Sequence, residues 1–216
     1  MTISLSCTVE QYVSVLPSTW IKLEGYEGDK ITQQVTVTTI EEKPLTITKI
    51  TCDINDKIKY KLKSKKKGKE YVLEVRNRIA PVGTFHGTIE LKTTSEKKPT
   101  LVINVYANFL EEVKVEPQVV SFGVIDTSKE NFDAPNMKKI VTITDMRGSG
   151  LTLNKIKSSG DWIVAENQKR GGRQYNLVIG VDKNKLPKGR FQEKITIRTN
   201  YKQKKSLLIN VNGEVL

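Results

Sequence analysis

A single histidine, His86, is the only imidazole in this chain, so acid-base or nucleophilic chemistry near neutral pH would have to be built on it. Such chemistry needs a nucleophile beside the base, or a pair of carboxylates facing one another. His86 follows Phe85 in an alternating stretch, "GTFHGTIEL", that turns the phenylalanine inward and the histidine outward. The acids are scattered: Glu41-Glu42 and Glu111-Glu112 fall in connections, and no calcium-loop spacing occurs. The two cysteines, Cys7 and Cys52, lack metal-ligand spacing and are too few for a disulfide scaffold. They read as small buried hydrophobes, with a Cys7 to Cys52 bridge as the alternative. Gly148 and Gly150 in "RGSG", and Gly171-Gly172 in "KRGGR", lack the strand, loop and helix context of a phosphate cradle. The sequence therefore predicts no catalytic residue, no metal and no organic cofactor, and hence no enzyme.

Two kinds of binding chemistry remain. Trp20, Trp162, Tyr71 and Tyr175 could form a sugar platform, but Tyr71 and Tyr175 each precede a leucine two residues on and read as core. Trp162 also reads as buried, which leaves Trp20 open. The other chemistry is charge. The chain has 36 basic and 24 acidic residues, a net +12, with 17 basic and 14 acidic up to Glu112 and 19 and 10 beyond it. Two basic, glycine-containing loops precede the tyrosines: "KSKKKGKEY", with Lys65, Lys66 and Lys67, and "QKRGGRQY", with Lys169, Arg170 and Arg173. These are the candidate contacts for an acidic polymer, polysaccharide or nucleic acid. Against nucleic acid, the basic residues are 29 Lys and 7 Arg, and phosphate recognition favours the bidentate guanidinium. The competing reading is a solvated surface in which lysines keep strand edges from aggregating.

The elements that carry these residues come in two copies. "VSVLP" matches "VKVEP", "QVTVTT" matches "IVTITD", "PLTITKI" matches "GLTLNKI", "GKEYVLEV" matches "GRQYNLVI", "PVGTFHGTIELKTT" matches "PKGRFQEKITIRTN", and "LVINV" matches "LLINV". The offset is 100 between Pro17 and Pro117 and 106 between Pro81 and Pro187, so the second copy carries an inserted loop, "DTSKENFDAPN". Within the segments apolar residues alternate with polar ones, as in Val35 and Val37 or Ile195 and Ile197, which marks half-buried strands. No long stretch shows helical periodicity. Seven or eight short strands per copy predict a two-sheet sandwich. Pro81 and Gly83, with their counterparts Pro187 and Gly189, form a strand-connecting turn: proline presets the entry angle and glycine accepts a positive φ.

The segments "VKVEPQVVSFGVI", "IVTITDMRGSGLTLNKI", "YNLVIGVDKNKLPKGRFQEKITIRTN" and "LLINVNGEV" resemble the Hydin-type, or ASH-like, immunoglobulin-like modules, related in fold to the major sperm protein domain and found in tandem in large bacterial proteins of unknown function. The first copy departs from that pattern, with "STWIKLEGYEGD" where the second has "QVVSFGVIDTSK". The resemblance implies scaffolding or binding without catalytic machinery.

The expectation is thus an all-β chain of two immunoglobulin-like β-sandwich domains, residues 10–110 and 111–216, joined end to end by a short extended link. Residues 1–9 echo the end of a preceding module, because "ISLSC" aligns with "INVYA" ahead of the V-x-V-x-P start, so the chain reads as part of a longer array. No apolar run approaches the ~18 residues of a membrane span, and no targeting signal is present. The expected setting is an exported or surface-associated bacterial protein, monomeric as given, whose partners are neighbouring modules or another protein.

Overall fold

The computed structural model describes residues 11–128 and 137–216. It is all-β among these residues and divides into two compact units, one ending at Leu110 and one spanning Glu111–Leu216. The terminal strand expected over residues 1–9, Cys7, and most of the inserted loop lie outside the described residues.

Unit 1 holds β1 (Val13–Leu16), β2 (Trp20–Tyr26), β3 (Thr32–Thr39), β4 (Ile47–Cys52), β5 (Ile58–Lys66), β6 (Glu70–Asn77), β7 (Gly83–Thr93) and β8 (Thr100–Leu110). Two four-stranded sheets result, β1-β3-β6-β5 and β2-β8-β7-β4. Unit 2 repeats the plan with β9 (Val113–Glu116), β10 (Val119–Ile125), β11 (Lys139–Asp145), β12 (Leu153–Ser158), β13 (Ile163–Gly171), β14 (Gln174–Val181), β15 (Gly189–Thr199) and β16 (Ser206–Val215). Its sheets are β9-β11-β14-β13 and β10-β16-β15-β12. Each unit is an immunoglobulin-like sandwich of eight strands.

The alternation in the sequence sets which side chains face inward. Val35, Val37, Leu73 and Val75 from one sheet of unit 1 meet Ile21, Leu23, Ile89, Leu91, Ile103 and Val105 from the other, all buried. In unit 2 the corresponding layer is Val141, Ile143, Leu177 and Ile179 against Val120, Phe122, Ile195, Ile197, Ile209 and Val211. Each such aliphatic side chain contributes about 1.5–3 kcal/mol when fully removed from water. The divergent segment of the first copy forms the same strand as its counterpart. β2 runs parallel to β8 with Trp20 opposite Asn104, and β10 runs parallel to β16 with Val119 opposite Asn210. Ile21 and Leu23 on the one, and Val120 and Phe122 on the other, supply the inward alternation.

The proline-glycine turns sit where the repeat places them. Gly83 has φ +111° and Gly189 φ +89°, each opening the long strand that brings Phe85 or Phe191 into its core. Phe85 stacks on Phe109 with ring centres 6.3 Å apart, and Phe191 meets Trp162 edge to face at 4.5 Å.

Candidate functional site: buried polar ties and exposed charge

The most elaborate polar cluster lies at the end of β11. Asp145, 3% exposed, accepts hydrogen bonds from the backbone N–H groups of Gly148 (2.7 Å), Gly150 (3.2 Å) and Leu151 (3.0 Å) and from the Tyr201 hydroxyl (2.5 Å). Tyr201 in turn accepts from the Ser149 N–H at 3.2 Å. Burial pushes the Asp145 carboxyl up, but the Tyr201 hydroxyl and the three amides outweigh it and hold the group below its ordinary value. Burial, with the Asp145 carboxylate second, raises the Tyr201 phenol. The "RGSG" glycines thus do form a ring of convergent amides, and the ring is filled by the chain's own carboxylate. Neighbouring Arg147 donates to the buried Glu112 at 2.6 Å.

Unit 1 ties the same place together with different residues. Thr39, at the position of Asp145, donates to the Tyr12 carbonyl and accepts from the Glu41 N–H. Ser95, at the position of Tyr201, donates to the Glu41 carboxylate at 2.7 Å. The repeated tyrosines close the tie in both units: Tyr71 donates to the Leu45 carbonyl at 2.8 Å, and Tyr175 to the Leu151 carbonyl. Tyr175 is buried and Tyr71 half-buried, in keeping with a packing role for both.

The two basic loops are hairpin tips, β5–β6 and β13–β14, and much of their charge is engaged locally. Lys65 pairs with Glu70 at 2.9 Å and Lys63 with Glu74 at 3.5 Å. Lys69 reaches back to the carbonyls of Glu41 and Glu42. Arg173, its repeat counterpart, lays its guanidinium over Gly148, where a Cβ would stand only 2.3 Å from the Arg173 Cζ. Lys66, Lys67 and Arg170 are exposed, and Lys169 lies in β13 opposite Tyr175. Pro81, Gly83 and Gly189 are exposed and Pro187 half-buried, and the space about the missing Cβ of both glycines is open.

The other residues singled out by chemistry are dispersed. His86 is exposed on β7, its ring 5.1 Å from Tyr106. Trp20 is 52% exposed on β2, and Val119, 53% exposed, is its structural counterpart, which sequence alignment of the copies misses. Trp162 is buried at 4%. Cys52 is a free thiol packed against the core but only half-buried, which corrects the expectation of a buried cysteine: β4 is an edge strand, so its inward side chains reach the rim of the core. Burial pushes this thiol up, the nearby Asp53 and Asp56 adding to the effect. Among the described residues no group of three His, Cys, Asp or Glu could hold a metal ion, and no helix is long and apolar enough to cross a membrane.

Sequence reasoning missed one exposed cluster. On the outer face of β12 and β15, Lys155 stands opposite Arg198 and Lys157 opposite Thr196, with Lys194 two residues along. All are exposed, and the four cations line a shallow concavity of about 370 Å³ together with Ser158 and Ser159.

No protein-family model and no curated protein matches the chain. Among solved structures it is similar to a protein of unknown function from Porphyromonas gingivalis W83, at 14% identity and TM-score 0.39 over 94% of this chain and 100% of that one. It is similar also to extracellular cadherin domains of protocadherin gamma B7, at 13% identity and TM-score 0.45 over 93% of this chain and 50% of that one. Domains 5–6 of the S-layer protein SbsC align at 12% identity and TM-score 0.31 over 96% and 98% of the two chains.

Proposed function

We propose that the chain is a non-catalytic structural and protein-interaction module, a pair of immunoglobulin-like spacers that presents sheet edges to a protein partner. The observation that carries this reading is how the polar groups are used. In both units polar groups tie one loop to one strand at the same place, through Asp145 and Tyr201 in one copy and Thr39, Glu41 and Ser95 in the other, and the buried Asn77 amide likewise holds backbone groups, of Asp29, Ile31 and Ile79. His86, the single candidate base, stands outside the core on Tyr106. A tandem Hydin-type or ASH-like module of a larger exported or surface-associated bacterial protein is the setting this reading fits.

The edge best suited to a partner is β2. Its seven residues pair with β8 without a bulge, no strand among the described residues pairs with its other side, and it carries the exposed Trp20. An unbulged, exposed edge can accept a strand from another chain, with a neighbouring aromatic supplying contact area. The edge strand β5 carries exposed Lys59, Lys61 and Lys63, which oppose such pairing. A photo-crosslinking amino acid placed at Trp20, and separately at Lys61, tests the assignment in cells that make the protein. A discrete adduct from position 20 and none from 61 supports it. Equal adducts at both positions, or none at 20, would overturn it.

A further inference from the structure

The two units offer an internal comparison at one sheet face. In unit 1, β4 pairs with β7 so that Lys49 stands opposite Lys92 and Thr51 opposite Glu90. In unit 2, β12 pairs with β15 in the same register, after the same irregularity, so that Lys155 stands opposite Arg198 and Lys157 opposite Thr196. Like charges directly opposite on a sheet repel. Unit 1 relieves the repulsion from within: Glu90 takes Lys92 in an ion pair at 2.6 Å. At the far end of the same face the Asp53 carboxylate accepts from the Thr88 N–H and hydroxyl.

Unit 2 has neither acid in those places. Thr196 replaces Glu90 and Ser159 replaces Asp53, while Lys157 and Lys194 replace Thr51 and Thr88. Ser159 still serves the fold, accepting from the Lys194 N–H at 2.8 Å. Lys155, Lys157, Lys194 and Arg198 are thus exposed around a threonine, and none is in an ion pair among the described residues. The nearby carboxylate, Glu193, is bound to the Ser159 hydroxyl. Strand geometry puts Lys194 and Arg198 about 13 Å apart, Lys155 directly across from Arg198 at about 5 Å, and Lys157, across from Thr196, diagonal to both at about 7 Å. The face continues past Arg198 to Asn154, Asn200, Lys202 and Lys205. An extended row of cations, none of them paired with a carboxylate among the described residues, attracts an external polyanion.

We propose that this outer face of β12 and β15 binds an acidic polysaccharide, its sulfate or carboxylate groups on Lys155, Lys157, Lys194 and Arg198. Hydroxyl and amide groups beside the cations, from Thr196 and Asn154, suit sugar hydroxyls. The face is open rather than grooved and presents no exposed aromatic ring to stack a base: Tyr201, at its margin, is buried and bonded to Asp145. The proposal needs only the fold of unit 2 and is independent of the β2 edge.

The test measures binding of a fluorescein-labelled heparin oligosaccharide to the full chain by anisotropy over a salt series, with a single-stranded oligonucleotide of equal charge in parallel. The decisive variant is Thr196→Glu, which restores the acid of unit 1 while removing no cation. Its control is Thr32→Glu, an exposed position of β3 that changes net charge equally. Thr196→Glu and the double variant Lys155→Glu/Lys157→Glu should each weaken heparin binding by about tenfold or more, and the double variant should lower the slope of log Kd against log salt by about two. Thr32→Glu and Lys65→Glu/Lys66→Glu/Lys67→Glu should stay within about twofold of the parent. Equal losses for Thr196→Glu and Thr32→Glu, or a loss confined to the Lys65–Lys67 variant, would overturn the assignment. Tighter binding of the oligonucleotide than of heparin would overturn the polysaccharide class. Melting curves verify that each variant is folded, and because all the altered side chains are exposed, no folding defect is expected.

Discussion

The Tyr201 hydroxyl donates to the Asp145 carboxylate at 2.5 Å across 56 residues of chain, and this bond closes the loop between β11 and β12. Asp145→Ala would leave the amides of Gly148, Gly150 and Leu151, and the phenol, without their acceptor. At roughly 1 kcal/mol or more for each buried donor left unmade, unit 2 should lose about 3–4 kcal/mol. Tyr201→Phe removes the bond to the charged acceptor and leaves the Ser149 N–H without its own, and should cost about 2–4 kcal/mol. Urea unfolding monitored through unit 2 measures both. A loss below 1 kcal/mol for Asp145→Ala would show that the loop is held by something else.

The same pair sets a pH dependence. Because the folded-state pKa of Asp145 is depressed, its contribution is fully present above the ordinary carboxylate pKa of about 3.9 and is lost as pH falls from there through the folded value. Tyr201 is shifted the other way, so its contribution is fully present below the ordinary phenol pKa of about 10 and is lost as pH rises through the folded value. Asp145→Asn should flatten the acid limb of stability against pH and leave the alkaline limb of the phenol smaller, since its charged partner is gone. An unchanged acid limb in Asp145→Asn would contradict this.

The fold was legible because it is written locally and twice. Period-two alternation survives even where the copies diverge, as at Ile21 and Leu23 against Val120 and Phe122, and the P-x-G turns mark where the longest strands begin. The sites were not legible for the opposite reason. Asp145 and Tyr201 are an ordinary aspartate and an ordinary tyrosine until β11 and the end of β15 are brought together, and their counterparts Thr39 and Ser95 carry no matching signal. The cations of β12 and β15 appear in sequence as Lys155 and Lys157 on one strand and Lys194 and Arg198 on another some forty positions away. Runs such as Lys65 to Lys67 draw the eye instead, although Lys65 is already paired with Glu70.

Gly83 and Gly189 are required for backbone reasons alone. Both have φ in the left-handed half of the map, +111° and +89°, and a Cβ at either position would meet no atom within 4 Å. Alanine at each should therefore cost about 1–2 kcal/mol from conformation and nothing from collision. In a unit of this size that lowers the melting temperature by roughly 5–15 °C. D-Alanine, introduced by ligation, should restore stability to the glycine level or above. Failure of D-alanine to rescue would mean that a side chain is not tolerated there at all.

The lysines of β5 should matter for solubility rather than stability. Lys59 and Lys61 are exposed on an edge strand, opposite Arg76 and Glu74 of β6. Replacing both with threonine improves strand propensity and removes two charges that oppose edge-to-edge association. Unfolding free energy should change by less than about 0.5 kcal/mol, while light scattering at high protein concentration should rise well above that of the parent. If scattering is unchanged, the basic residues of this edge serve some end other than keeping chains apart.

The two tryptophans report on the units separately, one in each. Trp162 is 4% exposed, set edge to face on Phe191 at 4.5 Å and so close to Gly160 that a Cβ there would fall 2.7 Å from the indole Nε1. Trp20, at 52% exposed, is in contact with water. In Trp20→Phe the remaining emission should be blue-shifted and resistant to acrylamide, and its change on denaturation should follow unit 2 alone. Trp162→Phe should leave water-like, readily quenched emission. Truncation to Trp162→Ala opens a cavity beside Phe191 and should destabilise unit 2 by about 3–5 kcal/mol. Because Gly160 and Phe191 both close on the ring, a Trp162 emission as red and as quenchable as that of Trp20 would mean that this corner of the second sandwich is not packed as described.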